Sequence, residues 1–247
     1  MPSLQRKLLP LFVKFRIFPN VLFIKNPHKI FEFKHLQNQA KLQKSDVVLD
    51  VGCGIGFQTL LIGKKCKKII GVDVSKEAIE LATFLSATCS GRINSEFLCS
   101  TLESAKFPND YFDKVFSICV IEHISNYKEM LAEIYRVLKP SGSFVFSADA
   151  LTPIKSPELI SKHKKDHSVE NYFTVQQLAD LLLSIGFRNV SVFPILKSNY
   201  AAKIFSQGIR DGFKAKPSFL LSYIKLVVSE AFTKNEDGIL ICANCLK

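Results

Sequence analysis

The chain has 247 residues, 47% of them hydrophobic, with a mean hydropathy of +0.16. That length suits one large domain with appendages, and that composition excludes a disordered chain. The formal net charge of +11 is uneven: residues 1–45 carry nine Lys/Arg against one acid, residues 46–150 eleven against thirteen, and residues 151–247 thirteen against eight. The basic excess therefore sits on the flanks, where it suits anionic lipid, small anions or nucleic acid, a solvated face being the plain alternative.

Residues 1–45 read as a basic amphipathic arm. Leu4, Leu8, Leu11, Phe12, Phe15 and Phe18 interleave with Arg6, Lys7, Lys14 and Arg16, and Glu32 is the first acid. The apolar spacing is close to helical, interrupted at Pro10 and Pro19. Three readings stand: a lid or packing arm, a segment lying on a membrane surface, and a cleaved organelle-targeting peptide. No apolar run approaches the ~20 residues that span a bilayer. Seven Cys show no disulfide framework, which points to a reducing, cytoplasmic setting. Cys242 and Cys245 sit in a strand-like run and read as core rather than metal ligands.

From Asp46 to the end, strand-like and helix-like segments alternate. Val47–Val51, Ile69–Val74, Phe97–Cys99, Lys114–Val120, Ser143–Ala148, Val190–Phe193 and Ile239–Ala243 read as strands. Helices follow at Phe57–Lys65, after Ser75, around Met130–Leu138, and after Thr174 up to Gly186. The pattern predicts an α/β fold: a doubly wound, mostly parallel seven-stranded sheet with helices on both faces and an antiparallel last strand. Residues 196–236 form an apolar, basic insertion suited to packing on the N-terminal arm. Residues 161–167 are expected to lie in a loop beyond the fifth strand. Ligands of such sheets bind at the carboxyl ends of the strands near the switch point.

The first strand leads into Asp50-Val51-Gly52-Cys53-Gly54-Ile55-Gly56, and the second ends at Asp73. Glycine allows a sharp turn and a close ligand, and an acid after the second strand can accept two hydrogen bonds from a ribose. Phe57 stands where the dinucleotide fingerprint needs its third glycine, which disfavours a nicotinamide oxidoreductase. Asp50 would repel a pyrophosphate and attract an ammonium. Together these favour an amino-acid nucleoside.

Val48–Gly56 resembles the first motif of class I S-adenosylmethionine-dependent methyltransferases, and Gly71-Val72-Asp73-Val74-Ser75 resembles their second. Phe107–Val115, Val120-Ile121-Glu122-His123-Ile124 and Arg136–Ser143 resemble later motifs in the family's order. The subgroup resembled acts on small molecules, quinone precursors among them.

The resemblance implies S-adenosyl-L-methionine as cofactor and a site placed residue by residue. Asp50, with the backbone of Gly52 and Cys53, would hold the methionine amino group. Gly54 and Gly56 would let the cofactor lie on the loop. Asp73 would bind the ribose and Val74 would pack on adenine. Thr101 stands where the family often has an acid, with Leu102 beside it, and Ile118 and Cys119 would line the methionine end. His123, His163, His167 and Tyr172 are the candidate substrate-side residues, each also readable as packing or a solvated loop. The catalytic residues stay unassigned. No His has metal-ligand spacing, so no metal is expected.

The expected function is methyl transfer to oxygen or carbon of a small molecule: a hydrophobic or anionic lipid, a quinone or a lipid-linked glycan. An anionic membrane surface is the expected partner. The competing readings are an RNA or protein methyltransferase using the basic flanks and a non-catalytic S-adenosylmethionine-binding protein. Nucleic acid is disfavoured, because Ser117-Ile118-Cys119-Val120 replaces the Asn/Asp-Pro-Pro-aromatic motif of amino-directed members.

Overall fold

The computed structural model describes residues 12–15, 18–21, 24–89, 91–214 and 217–247. Leu4, Arg6, Lys7, Leu8, Pro10, Leu11 and Arg16 of the N-terminal arm lie outside the described residues. Its later residues pack down: Phe18 is fully buried with Leu60, Leu85 and Cys89.

Helix α1 (Pro27–Ala40) begins where Asn26 accepts the backbone N–H of His28 at 2.9 Å and Pro27 takes the first turn. Ile30, Phe33, Leu36 and Ala40 repeat at helical spacing and bury one face. Seven strands follow with helices between them: β1 (Val47–Val51), α2 (Phe57–Gly63), β2 (Lys68–Asp73), α3 (Lys76–Ala87), β3 (Ser95–Cys99), β4 (Phe112–Ile118), α4 (Tyr127–Val137) and β5 (Leu138–Asp149). The chain continues through α5 (Pro157–Asp166), α6 (Val175–Ile185), β6 (Arg188–Ile195), α7 (Asn199–Asp211), α8 (Phe219–Ala231) and β7 (Leu240–Leu246).

All seven strands form one sheet in the order β3-β2-β1-β4-β5-β7-β6. Pairings from β3 through β5 are parallel, and β7 runs antiparallel to both β5 and β6. This is the doubly wound, mostly parallel sheet that the alternation predicts. Its order reverses between β1 and β4, so the crevice at their carboxyl ends is the expected ligand position. One face buries Val51, Phe112, Phe144, Phe146 and Leu182, and the other buries Phe33, Val48, Phe116, Val145 and Leu226. Cys242 and Cys245 are fully buried, in keeping with core.

Two expectations need correction. Residues 161–167 are not a loop: Ser156 caps α5 by accepting the Leu159 N–H at 3.3 Å, and Pro157 opens the helix. The helix after β1 stops at Gly63 rather than Lys65, and β5 begins at Leu138. The 196–236 insertion holds two helices, α7, capped by Ser198, and α8, which packs against α1 as expected of an insertion lying on the N-terminal arm. No helix of the described residues is long and apolar enough to cross a membrane.

Candidate active site

The turn after β1 is built from three left-handed glycines, Gly52, Gly54 and Gly56, with φ of +71°, +52° and +72°. A Cβ on Gly52 would lie 2.4 Å from Val120, and one on Gly56 would lie 2.6 Å from the Phe97 ring. A Cβ on Gly54 would meet nothing within 4 Å. Gly56 is thus required for close packing of α2 on the sheet rather than for ligand approach. The close helix–strand contact that Phe57 argues against is made one residue earlier.

The loop is tied to β2. The Gly52 and Cys53 N–H groups both donate to the Val72 carbonyl, at 2.8 and 3.0 Å. Asp73 accepts the Gly54 N–H at 2.8 Å on one oxygen and the Ser75 N–H at 2.9 Å on the other. Asp50 is buried and accepts the Thr59 hydroxyl at 2.6 Å. Burial, with Asp73 nearby, pushes its carboxyl up to about 7.

A cleft of about 510 Å³ opens between the ends of β1, β2 and β4. Of the residues expected from the sequence, Gly52, Asp73, Val74, Thr101, Leu102, Cys119 and His123 line it. Val74 stands at the rim, 71% exposed, while Leu102 is buried. Glu103 also lines the cleft, so the acid missing at Thr101 stands two residues later on the same turn. Asp50, Cys53, Gly54 and Gly56 are not among the residues that line it.

Behind the cleft lies a second chamber of about 390 Å³, sharing Cys119 and His123 with it. Ile118 lines this chamber rather than the cleft. α1 contributes His28, Lys29 and Glu32, β5 ends in Asp149, α5 supplies His163 and His167, and the α7 region adds Phe205 and Phe213. Lys29 pairs with Glu32 at 2.9 Å and donates to the Cys119 sulfur at 3.0 Å. The Cys119 thiol and the Ser147 hydroxyl both donate to Glu32 Oε1, at 3.0 and 2.5 Å. Cys119 itself is left-handed at φ +52°, with its N–H donating to the Ser147 carbonyl at 3.1 Å.

His163 bridges two groups. Its Nδ1 lies 3.0 Å from the Tyr172 hydroxyl, and its Nε2 lies 3.6 Å from Asp149 Oδ2. Tyr172 is brought there because the Glu122 carbonyl accepts the N–H groups of Glu170 and Asn171, at 2.8 and 3.1 Å. The Glu122 side chain is buried, with Oε1 accepting the Asp149 N–H at 3.3 Å.

Crowding of carboxylates out of water sets the charges here. Burial, reinforced by Asp149, pushes Glu122 up to about 8, and burial with Glu32 nearby pushes Asp149 up to about 6. Burial would lower Lys29, but Cys119, Glu32 and Asp149 outweigh it and keep the ammonium charged. Burial, with His167 and His123 adding, pushes His163 down to about 4, so it is a neutral imidazole near pH 7. Burial also lowers His167, and it raises the Tyr172 hydroxyl to about 12. Among the described residues, Cys119, Glu122 and Asp149 form one grouping of potential metal ligands, with donor atoms within 4.8 Å of one another. The Lys29 ammonium already supplies a cation beside it.

His28, Lys29, Glu32, Glu122, Asp149, Phe205 and Phe213 carry no local motif, and the sequence pattern does not single them out. The nearest signals are Asp149 at the end of a buried strand and the Lys29–Glu32 pair three residues apart after a helix cap.

Residues 49–146 match the family model described as a methyltransferase domain. Over this stretch the chain is similar to class I S-adenosylmethionine-dependent methyltransferases. It is 36% identical over 98 residues to an uncharacterized methyltransferase of Bacillus subtilis, which covers 40% of this chain and 38% of that protein. It is 26% identical over 162 residues to a sterol 24-C-methyltransferase of Kluyveromyces lactis, which covers 62% of this chain and 43% of that protein. The chain thus spans less than half the length of these curated relatives. In fold it is similar to phosphoethanolamine N-methyltransferase 2 of Haemonchus contortus, solved with S-adenosyl-L-methionine. The TM-score is 0.64 at 20% identity, covering 86% of this chain and 51% of that one. The methyltransferase-domain match holds every residue of the cleft, whereas α1, Asp149, α5, α7 and α8 fall outside it.

Proposed function

We propose that the chain is an enzyme that transfers the methyl group of S-adenosyl-L-methionine to a small molecule seated in the chamber behind the cleft. The observation that carries this reading is that the two cavities meet at Cys119 and His123, at the end of β4 beside the switch point. A cleft of about 510 Å³ falls within the ~300–1,000 Å³ of small-ligand pockets. The donor set fits the cofactor: Asp73 for the ribose hydroxyls, Val74 and Leu102 for the adenine faces, and Thr101 and Glu103 at the adenine edge. Asp50 is a buried carboxylate without a cation, suited to an ammonium. An ammonium only donates, so a carbonyl must receive it, and with the Cys53 carbonyl already accepting the Gly56 N–H at 3.0 Å the Gly52 carbonyl is the better placed.

Bound S-adenosyl-L-methionine supplies an electrophilic methyl on a sulfonium. A lone pair of the acceptor forms the bond to the methyl carbon as the carbon–sulfur bond breaks, leaving S-adenosylhomocysteine. Holding the acceptor in line can supply roughly 7–11 kcal/mol of the barrier. A hydroxyl acceptor must also lose a proton. Neutral His163 takes it at Nε2 in this reading, with Asp149 beside it to steady the imidazolium and Tyr172 fixing the ring through Nδ1. His123 and His167 line the approach, and Phe205 and Phe213 give the acceptor an apolar wall.

The acceptor class that fits is hydrophobic or anionic: a lipid, quinone or lipid-linked glycan, presented near an anionic surface by the basic flanks. The relatives named for sterol and phosphoethanolamine methylation point the same way. A chamber walled by α1, α5 and α7 suits a small molecule better than a polynucleotide. Calorimetry with S-adenosylmethionine, followed by incubation of cell extract with labelled cofactor, tests the reading. Tight cofactor binding and label in an organic-soluble product are expected. Absence of cofactor binding, or label confined to RNA or protein, would overturn it.

A further inference from the structure

The side of α8 turned away from α1 is uncovered among the described residues. Leu220, Leu221, Ile224, Val227 and Val228 are 48%, 55%, 53%, 39% and 53% exposed, and Phe232 just beyond the helix is 85% exposed. Positions 220, 224, 227 and 228 recur at helical spacing along one side, with 221 flanking them. The opposite side holds Leu226, fully buried in the core shared with α1 and α7. Single exposed apolar residues are ordinary, but a contiguous strip marks an interaction surface.

Cations lie beside this strip, with the exposed acids Glu236 and Asp237 beyond its far end. Lys34 of α1 sits over the Tyr223 ring at 5.1 Å, Lys225 lies on α8 itself, and Lys234 follows it. Lys25 and Lys214 line a hollow of about 280 Å³ at the N-terminal end of α8, beside Phe219, and Asp211 is its only acid among the described residues. That hollow shares Asn26, His28 and Phe213 with the acceptor chamber. The hollow, the chamber and the cleft therefore adjoin one another, and the strip starts at the same end of α8, with Leu220 next to Phe219.

A second copy of this chain would bring the same lysines, and a net charge of +11, against this face. An anionic lipid surface satisfies both features, since it takes apolar side chains into its acyl boundary and attracts lysines to its headgroups. We propose that α8 docks on an anionic membrane surface, with the hollow at its N-terminal end opening toward the lipid. A lipid-soluble acceptor would then enter the chamber without crossing bulk water. Only this last step rests on the proposed methyl transfer; the docking does not.

Flotation of the full chain with phosphatidylcholine vesicles, with and without phosphatidylserine, reads the docking directly. Binding to the phosphatidylserine vesicles and its loss on added salt are expected. The triple variant Leu221→Glu, Ile224→Glu and Val228→Glu should lower the vesicle-bound partition by more than about tenfold. S-adenosylmethionine binding, measured on the same variant, should stay unchanged, because these side chains lie on the exposed face of α8, away from the cleft. Failure of the full chain to float, or equal flotation of the triple variant, would overturn the proposal. So would a dimer in sedimentation velocity without lipid that the triple variant dissociates, since a second copy would then be the occupant. Flotation without any S-adenosylmethionine binding would instead sink the methyl-transfer reading and leave the docking intact.

Discussion

The cleft and the chamber behind it touch at Cys119 and His123, yet they are built in different ways. The cleft is made at strand ends, largely from residues that follow one another: Val51-Gly52, Asp73-Val74, and Thr101-Leu102-Glu103. The chamber is made from side chains far apart in the chain, with Lys29 and Glu32 against Cys119, Ser147 and Asp149, and His163 against Asp149 and Tyr172. The first is held by steric and hydrogen-bond demands that a short motif can carry. The second is held by charge pairing out of water, which only the assembled fold can provide. Under the proposed reading, the first would serve the methyl donor, while the second would be free to differ with the acceptor.

If that contrast is right, the largest effect should come from crowding the turn. Gly56→Val forces a β-branched residue into a left-handed backbone with its Cβ against Phe97 and Ala82. A loss of about 4 kcal/mol in urea unfolding is expected. Gly54→Ala, with open space around it, should cost only about 1 kcal/mol of stability. Equal losses at the two positions would erase the distinction between a crowded glycine and an uncrowded one.

The chamber should be next in sensitivity. Glu32→Ala removes the buried partner of Lys29 and the acceptor of Ser147 and Cys119. About 3 kcal/mol of stability should be lost by the same measurement, less than for a sealed pair because Lys29 can take water from the chamber it lines. A neutral outcome would mean that the pair is solvated and the chamber is not assembled by charge.

Cofactor affinity should respond to pH through Asp50. An ammonium ligand binds the ionised carboxyl, and burial places that carboxyl at about 7. The dissociation constant for S-adenosylmethionine should therefore rise as pH falls below 7, by up to about tenfold per pH unit. Calorimetry in buffers of different ionisation enthalpy should show proton release on binding, and Asp50→Asn should flatten the profile. A flat profile in the unaltered protein would remove Asp50 from the amino-group site.

The smallest effect is a slope. Glu122 keeps its proton in the folded protein up to about pH 8, whereas its ordinary value is 4.5. Between those values the native state binds more protons than the unfolded one, so this group lowers stability as pH rises through the window. Glu122→Gln retains the Oε1 acceptor for the Asp149 N–H and abolishes the titration. Its stability relative to the unaltered protein should grow from pH 5 to pH 9, read by thermal melting. No change in the difference would show that Glu122 is solvated in the native state.

Strand positions were legible because buried strands read as short apolar runs and because capped helices announce themselves, as Ser75 and Thr174 do. The reading failed at α5, where the basic run Lys162–His167 looks like a solvated loop. Its register shows only when Leu159 and His163, four residues apart, are seen buried on one face. The cleft residues Gly52, Asp73, Val74, Thr101 and Leu102 were legible from motif and spacing. Gly56 and Ile118 were assigned to the same ligand, but the fold turns Gly56 toward Phe97 and Ile118 into the chamber.

By itself the sequence determined the alternating α/β sheet, the antiparallel close and the donor-side loop. Each depends on contacts between near neighbours in the chain or on a pattern of burial with a fixed period. Only the tertiary structure decided that Lys29 and Glu32 meet Cys119, that Asp149 meets His163, and that the insertion folds into a helix with one bare apolar side. Those depend on how a helix from residues 27–40 and helices from residues 157–231 close over the same strand ends, and no local spacing records that meeting.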